Sequence, residues 1–332
     1  MLYLAPPSQI VLNDYFLKVK DIIIDNINSN IFLNIEAKLF LLSELENIIK
    51  SDPVKLKGLN ELFFQKLNKG ILTYGRYQNY IKCLDIKQKD RNYRQRLFLR
   101  VYLRQFRKIE QIFDYEKILS SNKPKSYWLA KNINTNTCVY CNRLYANLIE
   151  IDNGSNNDKR IARPFFDHWY AKSKFPILAL SFYNLIPSCS VCNSSIKGSI
   201  EFNIDTHIHP YIKEVQNDFK FSYKHESLTN HNVIIRDFKL LSDKTKKTIE
   251  DFKIQYVYNA HSDKELKDLL DLRYKYSDNY IVELFQNTFN NLVVSEDEIY
   301  RLIFGVETKE EDYHKRSFNK FKHDIIEELR KK

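Results

Sequence analysis

Four of the five cysteines in this 332-residue chain fall into two Cys-x-x-Cys pairs, Cys138-Val139-Tyr140-Cys141 and Cys189-Ser190-Val191-Cys192. That spacing lets the two thiolates of a tight knuckle grip one ion, and two knuckles together complete a tetrahedral zinc site. A site closed by four thiolates leaves no position for water or substrate, so the zinc is expected to be structural. The competing readings are four unrelated buried thiols or a redox dithiol. Few cysteines occur elsewhere in the chain, which argues against the first, and a thioredoxin-type pair needs no second pair. Paired spacing also suits metal binding in a reducing compartment better than a disulfide framework. Cys83, outside both pairs, sits in a helical pattern and is expected to be an inert buried thiol.

Between and beside the cysteines lie Phe165-Phe166-Asp167-His168-Trp169, then Asn184-Leu185-Ile186-Pro187-Ser188-Cys189, then Asn193 and Lys197-Gly198. Singly these are ordinary: an Asp-His pair in a surface turn, asparagines that cap local structure, a solvated lysine. In this order, interleaved with the cysteine pairs, they resemble the HNH, or ββα-metal, nucleases. In that family one strand ends in a DH or HH pair, a second strand carries an Asn, and a short helix carries the last Asn or His. The resemblance covers roughly residues 137 to 199. One departure is visible: the proline that usually follows the DH pair closely is displaced to Pro176, which implies a longer intervening loop.

The resemblance implies an α+β, mainly helical protein with a small ββα-metal core stapled by the four-cysteine zinc site and flanked by helical regions. It implies roles as well. The scissile phosphate is anionic, so hydrolysis needs a cation to neutralise developing charge and a base to deprotonate water. Oxygen donors suit Mg²⁺ or Mn²⁺, and Asp167 with the side-chain carbonyl of Asn193 would be the ligands. His168 would be the general base, neutral near pH 7, with one ring nitrogen fixed by the backbone carbonyl of a neighbouring loop. Neighbours on a strand face opposite ways, so a strand end or kink is expected at Asp167-His168. Asn184 would be the central Asn, tying the loop after His168 to the second strand rather than touching metal. Lys197, four residues beyond Asn193, would share its helix face and contact a phosphate oxygen.

The wider phrasing, Cys-Val-Tyr-Cys-Asn-Arg, Phe-Asp-His-Trp and Ala-Leu-Ser-Phe-Tyr-Asn-Leu-Ile-Pro-Ser-Cys, is similar to bacterial HNH proteins of mobile and defence loci. Nuclease subunits of Septu-type anti-phage systems, which work beside an ATPase, are similar in this core. The resemblance therefore implies DNA as substrate, with RNA as the alternative, and an ATPase or other defence-system partner. The reading from a different class is a non-catalytic zinc-ribbon module that binds nucleic acid or protein. Asp167, His168 and Asn193 separate the two, because a binding module has no reason to assemble them.

The elements that must position these residues are mostly helices. Only 6 glycines, and apolar residues recurring at helical spacing from Ile10 to about Ser120, predict several helices, with stripes such as Leu39, Leu42, Leu45, Ile48 and Leu59, Leu62, Phe63, Leu67. Ser51-Asp52-Pro53 and Ser121-Asn122-Lys123-Pro124 punctuate this region. The flanks of the polar Asn153–Asn157 tract, Arg143 to Ile151 and Arg160 to Asp167, are expected to form a hairpin or two adjacent strands. Phe219 to Phe238 has strand character, and helical periodicity resumes from Leu240 to the end. The implied organisation is a helical domain over 1–123, the nuclease core with its zinc knuckle over 124–212, and a mainly helical domain over 213–332.

A balance of 52 Lys and Arg against 42 Asp and Glu, net +10, favours an anionic partner. No apolar run approaches the length of a membrane span and no secretory leader is recognisable, so a cytoplasmic, membrane-free protein is expected. Arg96, Arg100, Arg104 and Arg107 are confined to one helix face, with Leu99, Tyr102, Phe106 and Ile109 opposite. Such a row is either a solvated face or a phosphate-tracking surface. His207 and His209 follow the core closely and are read as packing or turn residues, with metal ligation or substrate contact as the alternative.

Overall fold

The computed structural model describes residues 1–151, 160–198, 200–214, 218–227, 230–283 and 295–330. The fold is mainly helical with small two-stranded sheets, and it divides into two compact units, each built from stretches that are not contiguous in sequence. One, the helical unit, comprises Pro6–Ile133 and Ile149–Ile186; the other, the cysteine unit, comprises Met1–Ala5, Asn134–Leu148 and Pro187–Lys332.

The helical unit contains α1 (Gln9–Ser29), α2 (Ile35–Lys50), α3 (Pro53–Lys66), α4 (Tyr74–Asp85), α5 (Tyr93–Glu110) and α6 (Lys123–Ile133). The punctuation residues act as caps. Asp52 accepts from the Val54 amide with Pro53 in the first turn of α3, and Asn122 accepts from the Lys125 amide at the start of α6. A capping box of Asn92 and Gln95 opens α5. The core is strongly aromatic: Phe64 stacks on Tyr77 with centroids 3.6 Å apart, and Tyr80 packs against Tyr102 and Phe106 at 4.9 and 4.7 Å. Cys83 is buried on α4.

The buried stripes differ in part from the sequence expectation. In α2 the core is made by Leu41, Leu45, Ile48 and Ile49, while Leu39 and Leu42 are 61% and 38% exposed; in α3 Leu62 is 46% exposed. Both helices carry apolar residues on more than one side, so several helical stripes can be drawn. Packing of α2 between α1 and α3 decides which stripe is buried.

Three short strands follow in this unit: β1 (Ile149–Glu150), paired antiparallel with β2 (Arg160–Ala162), and β3 (Phe165–His168). The Asn153–Asn157 tract lies outside the described residues. β3 ends at His168 and is hydrogen-bonded to β4 (Leu185–Ser188), along which the chain leaves the helical unit. The long loop between β3 and β4 is buried, so its backbone carbonyls need internal donors. Tyrosine hydroxyls supply them: Tyr15 donates to Leu180 O (3.0 Å), Tyr77 to Lys174 O (2.9 Å) and Tyr80 to Ser173 O (2.8 Å). Ser181 donates to Ile48 O, and Lys174 pairs with Asp85. The N-terminal helices thus hold the loop that follows His168.

The cysteine unit contains the antiparallel hairpin of β5 (Phe221–His225) and β6 (His231–Ile235), then α7 (Asp243–Asp251), α8 (Ile254–Asn259), α9 (Lys267–Lys275), α10 (Asp278–Glu283), α11 (Glu296–Phe304) and α12 (Asn319–Arg330). Phe221, Tyr258 and Phe321 form its aromatic centre, with centroids 4.4 to 5.4 Å apart. Among the described residues, no helix is long and apolar enough to cross a membrane.

Candidate functional site

The four paired cysteines converge in the cysteine unit. Cys138, Cys141, Cys189 and Cys192 are buried, carry no disulfide, and place their sulfurs within 4.8 Å of one another. Zinc bonded to four thiolates at about 2.3 Å would set its sulfurs roughly 3.8 Å apart, which this cluster can accommodate. Backbone amides already point at two sulfurs, from Arg143 to Cys141 and from Cys192 to Cys189, both at 3.4 Å. Such bonds stabilise thiolate and are the usual second layer of a metal knuckle.

The thiols do not ionise alike. Burial pushes Cys138 up, hydrogen bonds to the other sulfurs hold the proton on Cys192, and Cys141 is pulled far down because it accepts from the other three. A divalent cation removes this conflict by taking all four as thiolates. The donor set and its geometry make the cluster a candidate metal site of zinc type.

Asn142, immediately after the first pair, anchors the knuckle although its residue type alone assigns it no chemistry. Its backbone is left-handed (φ 48°), a conformation Asn tolerates better than most residues. The two hydrogens of its side-chain amide are shared among Thr137 Oγ1 (2.9 Å), Tyr313 O (3.0 Å) and Arg316 O (3.0 Å), while its Oδ1 accepts from the Lys320 amide (3.1 Å). Tyr258 donates to Cys141 O at 2.6 Å. An Asn placed directly after Cys-x-x-Cys is the only sequence signal of this anchor.

In the helical unit, Asp167 is buried and His168, the last residue of β3, is half-buried. The His168 ring nitrogen Nε2 lies 3.0 Å from Ala179 O. A carbonyl can only accept, so Nε2 carries the hydrogen and Nδ1 carries the lone pair of the neutral ring. Tyr115 packs edge-on against the imidazole, centroids 4.6 Å apart, fixing its plane. Asn184 is fully buried and clamps the intervening loop: Oδ1 accepts from Tyr170 N (2.6 Å), and Nδ2 donates to Tyr170 O (3.1 Å) and Leu178 O (2.9 Å). Its own carbonyl accepts from Trp169 N at 3.0 Å. Asp167, His168 and Asn184 therefore lie within one unit, and the loop after β3 holds the last two.

Asn193 and Lys197 belong to the cysteine unit, on the π-helical segment Val191–Lys197. Asn193 is half-buried and its amide donates to Cys189 O (3.0 Å), which ties the segment to the second cysteine pair. Lys197 is buried at 3% exposure, with Nζ 5.1 Å from the Phe202 ring centroid. A phosphate contact from this lysine requires the side chain to leave that ring. The segment stops at Gly198, whose positive φ of 46° suits glycine.

His207 is also buried, and both of its ring nitrogens are bonded, Nε2 to Asp251 Oδ2 and Nδ1 to Thr206 Oγ1, each at 2.9 Å. His209 accepts through Nδ1 from the Tyr211 amide. Neither joins a cluster of metal ligands among the described residues. On α5, Arg96, Arg100, Arg104 and Arg107 are exposed, and Leu99, Tyr102, Phe106 and Ile109 are buried.

Compared with protein-family models, curated proteins and solved structures, the chain matches none.

Proposed function

We propose that the protein is a metal-dependent nuclease of the HNH type that hydrolyses phosphodiester bonds of DNA. The observation that carries this reading is the hydrogen bond from His168 Nε2 to Ala179 O, made at the end of β3 by the residue that follows Asp167 in sequence. It fixes the tautomer a general base needs: Nε2 is committed to the loop and Nδ1 bears the lone pair that takes a proton from water. Asn184 supports the base indirectly, because the loop it clamps contains the carbonyl that orients the imidazole.

Asp167 would supply a carboxylate oxygen for Mg²⁺ or Mn²⁺. That ion, when bound, neutralises charge on the scissile phosphate and eases ionisation of water. Zinc on the four cysteines is assigned a structural role, since their four thiolates leave no open position. The resemblance to Septu-type nuclease subunits extends the proposal to anti-phage defence beside an ATPase. Loss of phage protection in cells on Asp167→Asn is the expected outcome there, and unchanged protection would count against a catalytic role.

The biochemical test is nicking of supercoiled plasmid. Cleavage is expected with Mg²⁺ or Mn²⁺ added, none without, and at least about 100-fold less with Asp167→Asn. Equal cleavage by Asp167→Asn would remove the assigned ligand.

A further inference from the structure

The exposed face of α5 is an unusual surface. Arg96, Arg100, Arg104 and Arg107 lie within about 80° of arc and span roughly 16 Å of helix axis. Here none of the four makes an ion pair among the described residues, although exposed lysines elsewhere often do, such as Lys213 with Glu310. Arg96, Arg100 and Arg104 are therefore available to an external anion, while Arg107 also lies in the field of the Glu110 carboxylate.

The row also has a direction. Arg107 lines a cavity of about 290 Å³ in the same unit, together with Lys172, Tyr115 and Ala179. Tyr115 and Ala179 are the two groups that hold the His168 ring. Glu110, Asp114 and Glu116 share that lining, so the cavity is not a cationic cradle, and attraction for an anion comes from the exposed row.

We propose that Arg96, Arg100, Arg104 and Arg107 form a phosphate-binding track for duplex DNA that leads to the cavity beside His168. The inference rests on the nuclease reading only for naming DNA. A run of roughly 16 Å matches about five phosphates of one strand at 3.4 Å each. Single-strand sites rely on aromatic platforms, and the only exposed aromatic on α5 is Tyr93 in its first turn. Duplex DNA, recognised through its backbone, is the occupant that fits. Leu97 and Val101, about half exposed, flank the arginines and would cover sugar edges.

The test is binding of a fluorescent duplex to the full chain without added Mg²⁺ or Mn²⁺, so that no cleavage is needed, over a range of salt concentrations. The variants are Arg96→Gln/Arg100→Gln/Arg104→Gln and, as a charge-matched control, Lys239→Gln/Lys264→Gln/Lys267→Gln on the cysteine unit. Glutamine keeps helix propensity close to that of arginine, and circular dichroism verifies folding. Removing three phosphate contacts should make the slope of log K against log salt shallower by about 2.7, with the control parallel to wild type. Parallel lines for wild type and the arginine variant, an equal change in the control, no binding by wild type, or arginine dependence seen with duplex RNA but not duplex DNA would each overturn the track. Failure of the nuclease reading alone would show as absent cleavage with this salt dependence intact.

Discussion

His168 and Ala179, eleven positions apart, are joined by a hydrogen bond in which the imidazole Nε2 donates to a backbone carbonyl at 3.0 Å. The geometry dictates the tautomer, and nitrogen-resolved NMR of the imidazole should show the Nε2-protonated neutral ring as the dominant form at pH 8. A dominant Nδ1-protonated form would contradict the orientation on which the base assignment depends.

Asn184 satisfies three backbone groups of the buried loop, Tyr170 N, Tyr170 O and Leu178 O. Each orphaned group costs about 1–3 kcal/mol. Asn184→Ala should therefore lower stability by roughly 3 kcal/mol or more, read as a lower urea midpoint. A shift of under about 0.5 kcal/mol, typical of a surface change, would mean the loop holds itself.

The four-sulfur cluster should bind one zinc per chain, released stoichiometrically by a mercurial reagent and measured with a colorimetric chelator. Cys138→Ser should lose the metal and unfold at lower temperature. Because the ligands bind as thiolates, zinc affinity should fall as the pH is lowered. Full retention of zinc by Cys138→Ser would show that the metal sits elsewhere.

His207 provides a second pH dependence. Burial holds its imidazole below the ordinary value despite the Asp251 partner, so the folded unit favours the neutral ring, while the unfolded chain binds the proton as pH falls. Its stabilising contribution is therefore complete above about pH 6.5, the unfolded value, and is lost as the pH falls from there through the lower folded value. The melting temperature of wild type should drop more steeply between about pH 7 and about pH 5 than that of His207→Gln, since the variant lacks this titration. Parallel curves would mean that His207 titrates alike in both states.

Some of this was legible in the sequence because it is local. The cysteine pairs announce their own convergence by spacing, and Asp52-Pro53 and Asn122 announce helix starts by capping chemistry. What was hidden depends on distant partners. Leu39 and Leu42 look as apolar as Leu41 and Leu45, and only the neighbouring helices decide which pair is covered. The tyrosine hydroxyls that hold the loop after His168 come from positions more than ninety residues away in sequence. Lys197 is a different case: it reads as a solvated helix residue, yet it packs on Phe202, only five positions on, beyond the end of the helical segment.

The most direct test is the single-turnover nicking rate of supercoiled plasmid with Mg²⁺ or Mn²⁺, comparing wild type with His168→Ala. Removing a general base should slow cleavage by about 10² to 10⁴-fold, with zinc content and fold unchanged. Equal rates would contradict the assignment of His168 as the base.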